Sequence, residues 1–201
     1  MLAVIVSLVF AAALTLWVSF TTPLPGDVAI AQAIQSTAAP WLDTAMKAVS
    51  FLNDNLVAIG GALALAAALA AWRRWPAAAA FLGVLAADMA LRIPKAIIHR
   101  ARPSEDLVRV LESSDSGGFP SGHAFHAVVF FGLVALLVAP HIRSAPLRRT
   151  FIALLIGFIV TTGFSRVYLG AHWPSDVLGA FAYGVSSLAA VYYGYKRMKR
   201  L

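Results

Sequence analysis

The sequence predicts an all-α protein, a six-span transmembrane helix bundle with interfacial helices in its first outer connection. Composition and the lengths of its apolar runs carry that prediction. Of the 201 residues, 60% are hydrophobic and 12% charged, with a mean hydropathy of +0.79; a soluble domain carries about 25% charged residues. The apolar runs have the length that a hydrocarbon core of about 30 Å requires at about 1.5 Å per helical residue.

The spans follow in order. Residues 1–20 form a charge-free apolar run. It reads as a retained span rather than a cleaved signal, because no basic segment precedes it and Pro23-Leu24-Pro25 makes a poor cleavage site. Residues 56–72 and 77–94 are the second and third spans, joined by a short turn through Arg73 and Arg74. Residues 124–140, 151–164 and 177–195 complete the set. Alanine and glycine around Gly60-Gly61-Ala62 suit close helix packing in lipid. The connection 21–55 alternates apolar and polar residues from Asp27 to Ile34 and then shows helical spacing from Trp41 to Leu52. It reads as one or two amphipathic helices lying at the interface, packed on the bundle or gating a lateral lipid entrance. Residues 102–119 form a polar loop ending in Ser116-Gly117-Gly118.

The chain, 1–201, reads as a single integral-membrane domain with a motif core at 95–176. The absence of cysteine removes disulfides, thiolate metal sites and a cysteine nucleophile. The net charge of +7 does not imply nucleic acid, because basic residues flank membrane spans for topological reasons. Arg73, Arg74, Arg143, Arg148, Arg149, Lys196, Arg197, Lys199 and Arg200 fall on one face, with no acidic residue among them. That face is expected to be cytoplasmic, with both termini, so that the opposite face is extracytoplasmic. The membrane is expected to be a bacterial inner membrane.

Chemistry-bearing residues gather at the ends of these spans, on the expected outer face. Lys95 and Arg102-Pro103 follow the third span. Arginine's planar fork suits phosphate oxygens and lysine acts as a point charge; Pro103 is expected to end any helix there. Arg92 and Arg100 read as interfacial snorkelling residues. Pro120-Ser121-Gly122-His123 opens the fourth span, where free N–H groups and the helix dipole favour an anion. Ser121 adds a hydroxyl, Gly122 permits close backbone approach, and His123 is placed to donate a proton. Ser165-Arg166 closes the fifth span. His172 and Asp176, four residues apart at the start of the sixth, are spaced to share one helix face. A carboxylate there fixes the imidazole tautomer and frees the other nitrogen to attack. A metal pair is the competing reading, disfavoured by the surrounding cations. His126 reads as a buried hydrogen-bonding residue, His99 as interfacial and His141 as cytoplasmic. Asp88, inside the third span, requires a partner by energetic cost alone.

Together these segments resemble the type 2 phosphatidic acid phosphatase (PAP2) superfamily, in its membrane lipid phosphatase branch. The family pattern is present in order: Lys95, six residues and Arg102-Pro103; Pro120-Ser121-Gly122-His123; then Ser165-Arg166, five residues, His172, three residues and Asp176. The resemblance implies His172 as nucleophile, Asp176 as its orienting group and His123 as the acid that protonates the leaving group. Lys95, Arg102, Ser121, Gly122 and Arg166 would hold the phosphoryl oxygens. It implies no metal and no cofactor, since fixed cations neutralise the equatorial oxygens. The expected activity is hydrolysis of a lipid monophosphate or diphosphate. Undecaprenyl diphosphate is the leading substrate, with phosphatidylglycerol phosphate and phosphatidic acid behind it. The alternatives are a lipid phosphotransferase using the same residues, a vanadate-dependent haloperoxidase, disfavoured by the spans, and a non-catalytic lipid-binding protein. The expected partners are a phosphorylated membrane lipid and the bilayer.

Overall fold

The structure, a computed structural model, describes residues 2–200; Met1, included above in the first span, lies outside them. The described residues form helices and connections with no strand: α1 (Leu2–Phe20), α2 (Asp27–Gln35), α3 (Pro40–Phe51), α4 (Asn55–Ala71), α5 (Trp75–Ala90), α6 (Arg92–Ile98), α7 (Gly122–Val138), α8 (Ala145–Tyr168) and α9 (Pro174–Met198), with a 3-10 turn at Ala139–His141. Among the described residues, five stretches are long and apolar enough to cross a membrane: Leu2–Phe20, Trp75–Ile98, Gly122–His141, Ala145–Tyr168 and Pro174–Met198. The sixth expected span is α4, which at 17 residues reaches spanning length only with α3. The two meet at 47°, and Asp54 caps the start of α4 by accepting from Leu56 N–H at 3.1 Å.

α9 packs against α7, α1 and α5, and α7 also packs on α8. Close approach of α7 and α9 depends on Gly184, where a Cβ would lie 2.7 Å from Val128 Cβ. Between α4 and α5 the small residues act differently from the expectation. Gly60 and Gly61 face open space, while Ala58, Ala62 and Ala66 are the buried residues of α4. They recur every four residues and so share one helix face.

Two helix ends differ from the sequence reading. The third span is broken at Leu91. Pro94 has no N–H to give to the carbonyl four residues earlier, and the chain restarts as α6. That helix ends at His99, which adopts a left-handed conformation at φ 45°, before Pro103 is reached; Lys95 therefore sits within α6 rather than after the helix. The helix of the fifth span, α8, continues well past its apolar part, to Tyr168. The 21–55 connection folds into two short helices, α2 and α3, in the expected number, and both pack on α8.

Candidate active site

The end of α6, the start of α7, the end of α8 and the start of α9 meet at one end of the bundle. They wall a cavity of about 1220 Å³ bordered by Lys95, Arg102, Gly122, His123, Arg166 and His172. Side chains separated by up to 77 positions in sequence thus share one space.

The segment from Arg166 to His172 is shaped by backbone hydrogen bonds. Ala171 N–H and His172 N–H both donate to Arg166 C=O, at 3.0 and 3.1 Å. Gly170 turns the chain at φ +67°, and a Cβ there would lie 2.2 Å from Arg109 O. Only glycine fits a left-handed turn pressed against another backbone. The polar loop docks at the same place, with Leu111 N–H donating to Leu169 C=O at 2.8 Å.

His172 and Asp176 are adjacent, but not as two residues on one helix face. α9 begins at Pro174, so His172 precedes it. Asp176 reaches back to accept from Trp173 N–H at 2.8 Å, one half of a capping box. His172 Nδ1 lies 3.4 Å from Asp176 Oδ2 and forms no hydrogen bond there. The carboxylate's other strong partner is Arg100, which donates to Oδ1 at 2.5 Å. The opposite ring nitrogen, Nε2, lies 3.4 Å from an Arg102 guanidinium nitrogen. Burial is the main influence holding the His172 pKa well below its usual 6.5, followed by the charges of Arg102, Arg166 and Lys95, with a backbone hydrogen bond to Gly118 acting in the other direction. The imidazole is therefore neutral at neutral pH.

The cations are held in place by the polar loop. Lys95 Nζ donates to Gly117 C=O at 3.0 Å. Arg102 donates to Ser116 C=O at 2.8 Å and to Ala171 C=O at 2.7 Å. Arg166 donates to Ser50 Oγ and to Glu112 Oε2, while its Nε is buried without a partner among the described residues. Ser121 caps α7 by position and donates its N–H to Asp176 C=O at 3.2 Å. It stands behind the cavity rather than on its wall, with a buried and unpartnered Oγ. Three clustered cations repel one another, an arrangement that an entering anion relieves. No three histidine, aspartate or glutamate side chains among the described residues converge in a way that could hold a metal ion.

Arg100 corrects the sequence reading. It does not snorkel: it is 4% exposed and bridges Asp176 and Asp27, donating to Asp27 Oδ2 at 2.8 Å. Asp27, named above only as the start of the alternating pattern in the 21–55 connection, also accepts from Ser175 N–H and Oγ at 3.0 and 2.7 Å. Ser50 and Glu112 were missed in the same way. The sole sequence signal was an arginine two residues before the Arg102-Pro103 pair, which does not indicate burial. Asp88 finds its partner in His126, with Oδ2 2.7 Å from Nδ1, and His126 is buried as expected. His99 is exposed and borders the cavity.

A model of the PAP2 superfamily matches residues 76–200. Phosphatidylglycerophosphatase B of Bacillus subtilis is 30% identical over 161 residues, covering 79% of this chain and 78% of that protein. A lipid A 1-phosphatase of Rhizobium etli is 36% identical over 128 residues, 59% of this chain and 51% of the relative's length. The crystal structure of a transmembrane PAP2 type phosphatidylglycerolphosphate phosphatase from Bacillus subtilis shares the fold, with a TM-score of 0.87 at 24% identity over 100% of both chains. The family match takes in more than half of the chain and the Bacillus relative most of it, which places this integral membrane protein: it belongs to the PAP2 superfamily.

Proposed function

We propose that the protein is a lipid phosphatase that hydrolyses a phosphomonoester on a membrane lipid, with phosphatidylglycerophosphate as the leading substrate. The observation that carries this reading is the single cavity shared by Lys95, Arg102, His123, Arg166 and His172. A relative 30% identical over most of both chains is a phosphatidylglycerophosphatase. The relatives lend no support to undecaprenyl diphosphate, which the sequence alone had favoured.

The chemistry runs in two steps. His172 Nε2 attacks phosphorus, the bond from phosphorus to the lipid oxygen breaks, and protonated His123 gives its proton to that oxygen. His123, now neutral, takes a proton from water. The water oxygen attacks phosphorus, the nitrogen–phosphorus bond breaks, and inorganic phosphate leaves with His172 restored. Lys95, Arg102 and Arg166 hold the equatorial oxygens, with Gly122 at the α7 N-terminus completing the cradle and Ser121 supporting that terminus from behind. Asp176 supports the His172 ring electrostatically, and no metal takes part. Lateral entry of the lipid tail suits the apolar part of the cavity lining, which Ala58 and Ile59 of α4 and Leu85 and Met89 of α5 supply. The site lies on the extracytoplasmic side, with both termini cytoplasmic, as the distribution of basic loops implies.

The test is phosphate release from a panel of purified lipid phosphates in detergent, with and without chelator. Wild-type protein is expected to release phosphate in both conditions, and His172→Ala to bind lipid without turnover. Turnover by His172→Ala, or none by wild type on any lipid phosphate, overturns the reading. Orientation is tested with a cysteine at Ser114 in this cysteine-free chain: an impermeant reagent should label it from outside intact cells.

A further inference from the structure

A second histidine–aspartate pair lies on the wall of the same cavity, and the mechanism above leaves it unused. Both Asp88 and His126 border the cavity. Asp88 Oδ2 is 2.7 Å from His126 Nδ1, and the ring stacks on Phe130 with centroids 5.2 Å apart. The Asp88 side chain is 21% exposed and that of His126 7%. Asp88 is the only side-chain hydrogen-bond partner of His126 among the described residues. An ionisable pair inside a membrane span is costly and needs a reason. Mutual satisfaction alone is a weak one, since apolar residues of similar volume are often as stable or more so.

The geometry points to a subsite for a hydroxyl group on the departing alcohol of the lipid, an inference that rests on the phosphatase reading. His123 and His126 are three residues apart on α7, so they lie on neighbouring faces and about 4.5 Å apart along the helix axis. α7 runs from the motif end into the bundle, which places His126 deeper than His123. His123 acts at the oxygen that leaves phosphorus. A hydroxyl on the next carbon, plus one hydrogen bond of about 2.8 Å, covers the step to His126. With Nδ1–H donated to Asp88, the ring's Nε2 lone pair is the acceptor for that hydroxyl. The carboxylate sets the tautomer and the ring orientation. The subsite favours a phosphorylated polyol headgroup, in which a free hydroxyl adjoins the phosphate ester, over phosphatidic acid, whose glycerol carries acyl chains instead.

The experiment compares kcat/KM in detergent micelles for phosphatidylglycerophosphate, for its analogue lacking the terminal secondary hydroxyl, and for phosphatidic acid. Wild type is expected to prefer the hydroxylated lipid to its deoxy analogue by about tenfold, about one hydrogen bond's worth of discrimination. His126→Phe, which keeps a ring against Phe130, should reduce that preference to near unity, and Asp88→Leu should do the same. A wild-type enzyme that is active but indifferent to the hydroxyl overturns the subsite alone. So does an equal loss on all three lipids in His126→Phe, which marks a structural role. A wild type without turnover on any of the lipids instead overturns the phosphatase reading.

Discussion

Arg100 and Asp176, 76 positions apart in sequence, form a fully buried ion pair at 2.5 Å, with neither side chain exposed to solvent. The same guanidinium holds Asp27 of α2 at 2.8 Å. One arginine thereby ties the first long connection to the carboxylate beside His172. In a low-dielectric interior such a bridge is strongly favourable when complete and strongly unfavourable when one partner is lost.

Asp27→Ala is therefore expected to destabilise the fold by about 3–5 kcal/mol, the range for breaking a buried pair, and to reduce turnover. Arg100→Lys should have a similar effect, since a single ammonium cannot present the planar fork that spans two carboxylates. Thermal unfolding in detergent, read beside kcat, checks both. Unchanged stability in Asp27→Ala would show that the bridge carries no load.

The pH profile should place His172 on the acid side. Its pKa is depressed by burial and by nearby cations, so the neutral nucleophile persists below pH 6.5 and activity falls only at lower pH. Arg102→Gln removes one of those cations. The imidazolium then costs less, the pKa rises, and the acid limb of kcat/KM moves to higher pH. A limb that stays put, or moves down, contradicts this electrostatic picture.

Gly170→Ala should destabilise the protein and cost activity together. The left-handed backbone alone costs about 1–2 kcal/mol for a residue with a Cβ. The added carbon would also lie 2.2 Å from Arg109 O, forcing the polar loop off the turn that carries His172. Hydrogen exchange of residues 109–112 should rise in the variant, and an undisturbed loop with normal turnover would refute the prediction.

Chelation should leave turnover intact, since Lys95, Arg102 and Arg166 supply the positive charge at phosphorus. Phosphate release after exhaustive chelator treatment is the measurement. Activity that returns only on adding a divalent ion would overturn the metal-free mechanism.

Much of this protein is a local property of its sequence. Apolar runs determine helices in lipid because every backbone polar group there must be satisfied within the segment. The spacings Lys95 to Arg102 and Arg166 to His172, with Gly122-His123 between them, picked out residues that border one cavity. Arg100, Asp27, Ser50 and Glu112 were not legible, nor was Asp88's choice of His126. Such pairings depend on distance and local dielectric between positions far apart in the chain, and nothing near Arg100 distinguishes a buried bridge from a snorkelling side chain. The break at Leu91, the left-handed His99 and the reach of Asp176 back to Trp173 were likewise decided by packing. They set where each motif group points, which residue spacing alone leaves open.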